Sequence, residues 1–79
     1  MQPERVPVSQ RALLQRINRA LKVHDEVIRA VRGERLRTDL GAHYRVNLRL
    51  NAVVEKHVDL EELARALKVL REWECLAAS

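Results

Sequence analysis

Residues 43–72 decide the fold of this 79-residue chain, and they read HYRVNLRLNAVVEKHVDLEELARALKVLRE. In the first part of the stretch apolar and polar side chains alternate strictly, which is typical of a strand with one face buried. The apolar positions of this strand are Tyr44, Val46, Leu48 and Leu50. In the last part apolar residues recur at helical spacing, at Leu60, Leu63, Leu67 and Leu70. Asp59, with Glu62 three residues later, is the capping-box pattern that marks the start of a helix. The stretch therefore predicts a strand, a second strand and a helix over 59–70.

The two strands are expected to form a hairpin whose turn lies within 47–51. This segment has no glycine, which a tight two-residue turn usually requires. A two-residue and a four-residue loop both fit the sequence, and they place different residues opposite Val46. After the helix, Trp73 and Leu76 either extend its apolar stripe or pack as a short tail.

The N-terminal part predicts a long amphipathic helix over 9–32, with Ser9 as its N-cap and Gly33 as its stop. At 100° per residue its apolar positions fall within a band about 140° wide. These positions are Leu13, Leu14, Ile17, Ala20, Leu21, Val27, Ile28 and Val31. Four basic residues lie on the opposite side and one more at its flank. They are Arg11, Arg19, Lys22 and Arg29, with Arg16 at the flank.

The fold class is therefore α+β, and the order of elements is α-β-β-α. We expect one domain over 9–76, preceded by a flexible arm at 1–8 and followed by a frayed end at 77–79. A lone hairpin leaves both edges unpaired, and a chain of this length has a small core. Because a homodimer would cover edges and enlarge the core, we expect a dimer.

Several function classes are disfavoured by what the chain lacks. Gly33 and Gly41 are the only glycines, so no phosphate-binding glycine loop is present. Cys75 is the only cysteine and has Glu72 and Glu74 beside it, an acidic setting unlike that of a nucleophilic cysteine. Neither zinc-ligand spacing nor a catalytic carboxylate pair is found, so we expect no enzyme activity, no cofactor and no metal.

Apolar runs are also short, and no aliphatic run is longer than the three residues of Ala52-Val53-Val54. A membrane span or a signal peptide needs a longer one. A lone thiol fits a reducing compartment, so the expected location is the cytoplasm.

Charge is distributed unevenly along the chain. Residues 1–50 carry eleven Arg or Lys against five Asp or Glu, whereas residues 51–79 carry four against six. Twelve of the fifteen basic residues are arginine, whose planar guanidinium suits phosphate and carboxylate. The same arginines would also serve as the solvated face of a helix. Tyr44 and Trp73 are the only aromatic residues, too few for recognition by base stacking.

Three segments together carry a resemblance to other proteins. They are VSQRALLQRINR at 8–19, RGERLRTDLG at 32–41, and VVEKHVDLEELARALKVL at 53–70 followed by Trp73-Glu74. In these the chain resembles short, Arg-rich hypothetical proteins of proteobacterial plasmids and integrative elements. The resemblance implies a bacterial, cytoplasmic, mobile-element setting and carries no residue role.

The resulting hypothesis is a small DNA-binding accessory or regulatory protein that contacts duplex phosphates through its Arg-rich helix and hairpin. The candidate site comprises Arg11, Arg16, Arg19, Lys22, Arg29, Arg45 and Arg49. The alternative is a protein-interaction module or inhibitor. Its partner would be an acidic protein surface or would accept the apolar strip around Trp73 and Leu76.

Overall fold

The computed structural model describes residues 5–77. Its elements confirm the α+β class. They are β1 (Val6–Val8), α1 (Gln10–Leu21), a 3₁₀ turn (Lys22–His24), β2 (Glu26–Ala30), α2 (Glu34–Leu40), β3 (His43–Asn47), β4 (Ala52–Glu55), α3 (Leu60–Ala66) and β5 (Glu74–Leu76). The order is richer than α-β-β-α, since three further strands and one further helix are present among these residues.

The strands form two sheets. Strands β2, β3 and β4 form an antiparallel sheet in that order, while β1 and β5 form a two-stranded parallel sheet. Residues 6–8 are therefore a strand and not part of a flexible arm. Residues 1–4 of that predicted arm, and 78–79 of the predicted frayed end, lie outside the described residues.

The prediction of one helix over 9–32 is wrong beyond Leu21. Ser9 is the N-cap as predicted, and its hydroxyl accepts from the Ala12 amide at 3.1 Å. The helix ends in the 3₁₀ turn because Asp25 adopts a left-handed conformation, with φ of 57°. The chain then runs extended as β2 and pairs with β3, Val27 opposite Val46.

The hairpin has the longer of the two loops considered, since β3 ends at Asn47 and β4 begins at Ala52. Val46 accordingly pairs with Val53. The Asn47 side-chain oxygen accepts from the Leu50 amide at 2.8 Å, and Asn51 supplies the left-handed residue that glycine often provides.

Helix α3 starts as predicted and ends early. Asp59 caps it by accepting from the Glu62 amide at 3.0 Å. It stops at Ala66 because Lys68 takes a left-handed φ of 61°, and the Val69 amide bonds back to the Ala64 carbonyl. This is a Schellman ending with lysine in the usual glycine position. Residues 71–76 therefore do not continue the helix, and they form a short tail that includes β5.

The core lies between α1, α3 and the terminal strands. Its buried members are Val8, Leu13, Ile17, Leu21, Ile28, Val58, Leu60, Ala64 and Leu70. Ile28 is the only one that comes from the three-stranded sheet. One face of that sheet is thus fastened to the helices through a single aliphatic side chain and a few polar contacts. No helix within 5–77 is long and apolar enough to cross a bilayer.

Candidate nucleic-acid interface

The outward face of α1 carries a group of exposed basic residues. Arg11, Arg19 and Lys22 are exposed and lie within about 80° of one another, opposite the buried stripe of the helix. None of the three has an ion-pair partner within residues 5–77. Their charge is therefore not neutralised by the fold itself.

Polar amides accompany these cations. Residues 9–24 contain no acidic residue, so nothing on α1 opposes the positive charge. A shallow open groove runs along the helix, lined by Gln10, Arg11, Leu14, Gln15, Asn18 and Arg19. Asn18 is held in place because its Oδ1 accepts from the Ile28 amide at 2.7 Å, fixing α1 against the edge of β2.

Arg29 does not belong to this surface, contrary to its predicted place on the helix face. It lies on β2 opposite Tyr44, and successive strand residues point to opposite faces. Because Ile28 points into the core, Arg29 points away from it, on the other side of the sheet from α1.

The two hairpin arginines are also separate from α1. Arg45 is half-buried between two carboxylates, with its guanidinium 2.9 Å from Glu55 and 3.6 Å from Glu26. It therefore ties the three strands together and has little charge to offer a ligand. Arg49 is exposed in the loop between β3 and β4.

Arg16 performs a structural task at the flank of α1. Its guanidinium binds Glu74 in a two-pronged pair, Nη1 to Oε1 at 2.9 Å and Nη2 to Oε2 at 3.2 Å. Nη1 also donates to the Val69 carbonyl at 3.1 Å. Hydrogen bonding from Arg16, and then from the Arg71 amide, holds the pKa of the Glu74 carboxyl below its ordinary value near 4.5.

Further hydrogen bonds hold the segment that contains Glu74. Arg65 donates to the Glu74 carbonyl at 2.9 Å, and the Leu76 amide donates to Glu61 at 2.7 Å. Glu74 itself is buried. The C-terminal tail is thus held to α1 and α3 by a charged network that no local sequence pattern indicates.

We expect the Glu74 carboxylate to make folding acid-sensitive. A lowered folded-state pKa means that the unfolded chain takes up the proton first, so this stabilisation is complete above about pH 4.5 and declines as the pH falls further. Glu74→Gln should be less stable than wild type at pH 7 and should lose less stability between about pH 5 and pH 3. Urea unfolding at several pH values measures this, with the exposed neighbour variant Glu72→Gln as control. Parallel pH profiles for wild type and Glu74→Gln would contradict the assignment.

His43 is the other titratable group with a changed environment. It is buried, and its Nε2 lies 3.3 Å from the Gln10 side-chain nitrogen. Burial in the first place, and the positive charge of Arg37 in the second, lower the pKa of this imidazole. Within residues 5–77 no group of His, Cys, Asp and Glu side chains is arranged to hold a metal ion.

Sequence reasoning missed a second set of cations beside Arg16. Lys68 and Arg71 line a shallow depression with Arg16, Val69, Trp73 and Glu74. The indole of Trp73 is 57% exposed there. Lys68 and Arg71 were assigned to a longer second helix and its end, and the left-handed turn at Lys68 is what brings them to the flank of α1.

No protein-family model, no curated protein and no solved structure matches this chain. We therefore infer function from the chemistry of the protein's own surfaces.

Proposed function

We propose that the protein is a small DNA-binding accessory or regulatory factor that contacts duplex DNA through the outward face of α1. The observation that supports this best is the cluster of Arg11, Arg19 and Lys22, exposed on a helix without acidic residues and without ion-pair partners within 5–77. Cations in such a cluster displace the counterions condensed on phosphates, which gives salt-sensitive affinity.

The amide side chains of the groove extend the chemistry beyond phosphate contact. Arginine pairs with the major-groove edge of guanine, and asparagine or glutamine with that of adenine. Gln15 is exposed between the cations, so a helix laid along the major groove would present both kinds of group. Lys68 and Arg71, at the flank, would reach the adjacent phosphates.

The test is fluorescence anisotropy of a labelled duplex titrated with protein at about 50 and 200 mM salt. The variant Arg11→Glu/Arg19→Glu should bind at least about tenfold more weakly at the lower salt. Its log–log salt slope should be shallower by about two, since each lost phosphate contact removes about one unit.

The matched control is Arg35→Glu/Arg49→Glu, which changes net charge by the same amount. Both residues are exposed, and they lie in α2 and in the loop between β3 and β4, away from α1. Retained affinity in this control, with loss in the α1 variant, supports the proposed surface. Equal losses in both would mean that only overall charge matters and would overturn it.

A second candidate function is docking on an acidic protein surface. The exposed Trp73 between Lys68 and Arg71 favours it, because tryptophan and arginine are the residues that most often carry protein-interface energy. No duplex binding even at low salt would exclude the DNA proposal. The next experiment would then be nuclease-treated pull-down, comparing wild type with Trp73→Ala.

A further inference from the structure

The three-stranded sheet has a second face that the core does not use. Residues directly opposite each other in antiparallel strands share a face, so the strand register defines the members of this open face. They are Val27, Arg29, Val31, Ala42, Tyr44, Val46, Leu48 and Val53. None of them belongs to the core cluster or packs against it in the described chain. The charged residues of this face are Arg29 and Asp25, which lies just before β2 and opposite Leu48.

We propose that this open face binds the same face of a second copy of the chain, giving a two-fold dimer of stacked sheets. Apolar side chains dominate the face, and a surface of this kind is self-complementary when it meets its own copy. Val46 at its centre is already only 8% exposed, with Val27 and Val53 as cross-strand neighbours. The face is therefore mostly apolar and suits packing against another sheet at the usual spacing of about 10 Å.

The surface area of the chain is consistent with a missing partner. The chain exposes 6350 Å². A folded monomer of 9.2 kDa exposes only about 4,900 Å². The six residues outside 5–77 could add at most about 1,000 Å² to this exposed area. After this deduction, the exposed area exceeds that of a folded chain of the described length by roughly 700 Å². A standard stable interface covers about 800 Å² on each partner, an area comparable with this excess.

Charge also favours a second copy over an unrelated partner. Asp25 and Arg29 flank Val27 at equal distances along the chain, and neither has an ion-pair partner within 5–77. A two-fold axis that crosses the strands near Val27 and Val46 stacks β2 antiparallel on its copy. Residue 25 of one copy then lies over residue 29 of the other, so two Asp25–Arg29 pairs form at the ends of the apolar layer.

The dimer has a consequence for DNA that depends on the proposed function. Helix α1 packs on the Ile28 side of the sheet, and the open face is on the other side. Stacking the open faces therefore places the two α1 helices on the outside, with their basic faces directed away from each other. Such a dimer would hold two duplexes together and would not place both helices on one.

The mass of the wild-type protein in solution is the first test, by sedimentation equilibrium at about 100 µM, well above a micromolar Kd. Twice 9.2 kDa is expected. Val53→Glu places a charge in the apolar layer at a side chain that is 43% exposed, and it should weaken dimerisation at least 100-fold. Val23→Glu, at an 81% exposed site outside the sheet, makes the same change and should remain dimeric. A wild-type monomer at this concentration, or equal dimerisation of folded Val53→Glu and Val23→Glu, would overturn the proposal.

Circular dichroism verifies that each variant is folded. If Val53→Glu is unfolded, variants of the Asp25–Arg29 pair test the dimer instead. Arg29→Glu should weaken dimerisation, and Arg29→Glu/Asp25→Lys should restore it. Failure of the double variant to restore the dimer would rule out the two-fold arrangement.

Capture of a labelled duplex by an immobilised second duplex tests the bridging. Wild type should bridge, and Val53→Glu should bind one duplex by anisotropy without bridging. A wild-type dimer that binds duplex but does not bridge would contradict the outward placement of α1. Absence of duplex binding in every protein tested would refute the proposed function. The measured masses would still show whether the chain forms the dimer.

Discussion

Gly41→Ala is expected to lower the free energy of unfolding by about 2–6 kcal/mol, enough to unfold most of a domain of this size. Gly41 ends α2 with φ of 81° and ψ of −170°, a conformation that only glycine adopts without strain. A Cβ atom at this position would lie 2.6 Å from His57 Nδ1 and 2.8 Å from His57 Cα. The second contact is with backbone, so rotation of the imidazole alone cannot relieve the clash.

The neighbouring chain has little freedom to move away. The His57 amide donates to the Leu40 carbonyl at 2.8 Å, and the Val58 amide donates to the His43 carbonyl at 3.0 Å. Val58 is also part of the buried core. An added methyl group must therefore disturb the junction between β4 and α3 as well as its own turn.

Gly33→Ala is the matched control for this prediction. Gly33 has a comparable φ of 91°, but no atom lies within 4 Å of the position its Cβ would occupy. It should lose only the conformational part, about 1–3 kcal/mol. Urea unfolding of the two variants measures the difference. Equal losses would mean that the close approach of His57 does not contribute.

The helix and strand boundaries that sequence reasoning placed wrongly share one physical cause. Asp25, Asn51, His57 and Lys68 all have φ between 52° and 61°. Left-handed turns are usually recognised by glycine, and here four other residues form them. Neither position 25 nor position 68 is a glycine, and the apolar residues that follow, at 27–31 and at 67–70, keep helical spacing. The first and the second helix were therefore both predicted too long.

What the sequence predicted well depended on local chemistry. Ser9 and Asp59 act as N-caps because each accepts from an amide three residues later, a contact within a single turn. The alternation over 43–47 corresponds to β3, but its polar face, formed by His43, Arg45 and Asn47, lies on the Ile28 side of the sheet, and its apolar face is the open one. Leu48 and Leu50, assigned to the same strand, fall in the loop.

The residues of the candidate site also divide into those placed by local helix geometry and those whose partners depend on the tertiary fold. Arg11 and Arg19 share a face because they lie on the part of the predicted helix that does form, and Lys22 joins them because it keeps helical backbone angles at the C-cap of α1. Arg16 and Arg45 are engaged by partners that only the tertiary fold reveals, Glu74 lying 58 residues from Arg16 and Glu55 lying across a strand register that the sequence left open. A count of arginines therefore overstates the charge available to a ligand.

Ile28→Ala and Val27→Ala are expected to differ sharply, although the residues are adjacent in β2. Ile28 is 4% exposed and is the only residue of the three-stranded sheet in the core cluster. Its truncation should cost about 2–5 kcal/mol, since the cavity lies between α1 and the sheet, where few other contacts can close it. Truncation of Val27, on the open face, should cost less than about 1 kcal/mol in the monomer, because this residue neither belongs to the core cluster nor packs against it.

Urea unfolding at low protein concentration measures both values, and repeating it at high concentration adds a second comparison. If the open faces stack, dimerisation stabilises the folded state by mass action, and the cost of Val27→Ala should rise with concentration. The cost of Ile28→Ala should then change little, since the side chain faces the helices in either state. Equal costs for the two variants at low concentration would mean that the sheet is covered on both faces within a single chain, and the assignment of the open face would be wrong.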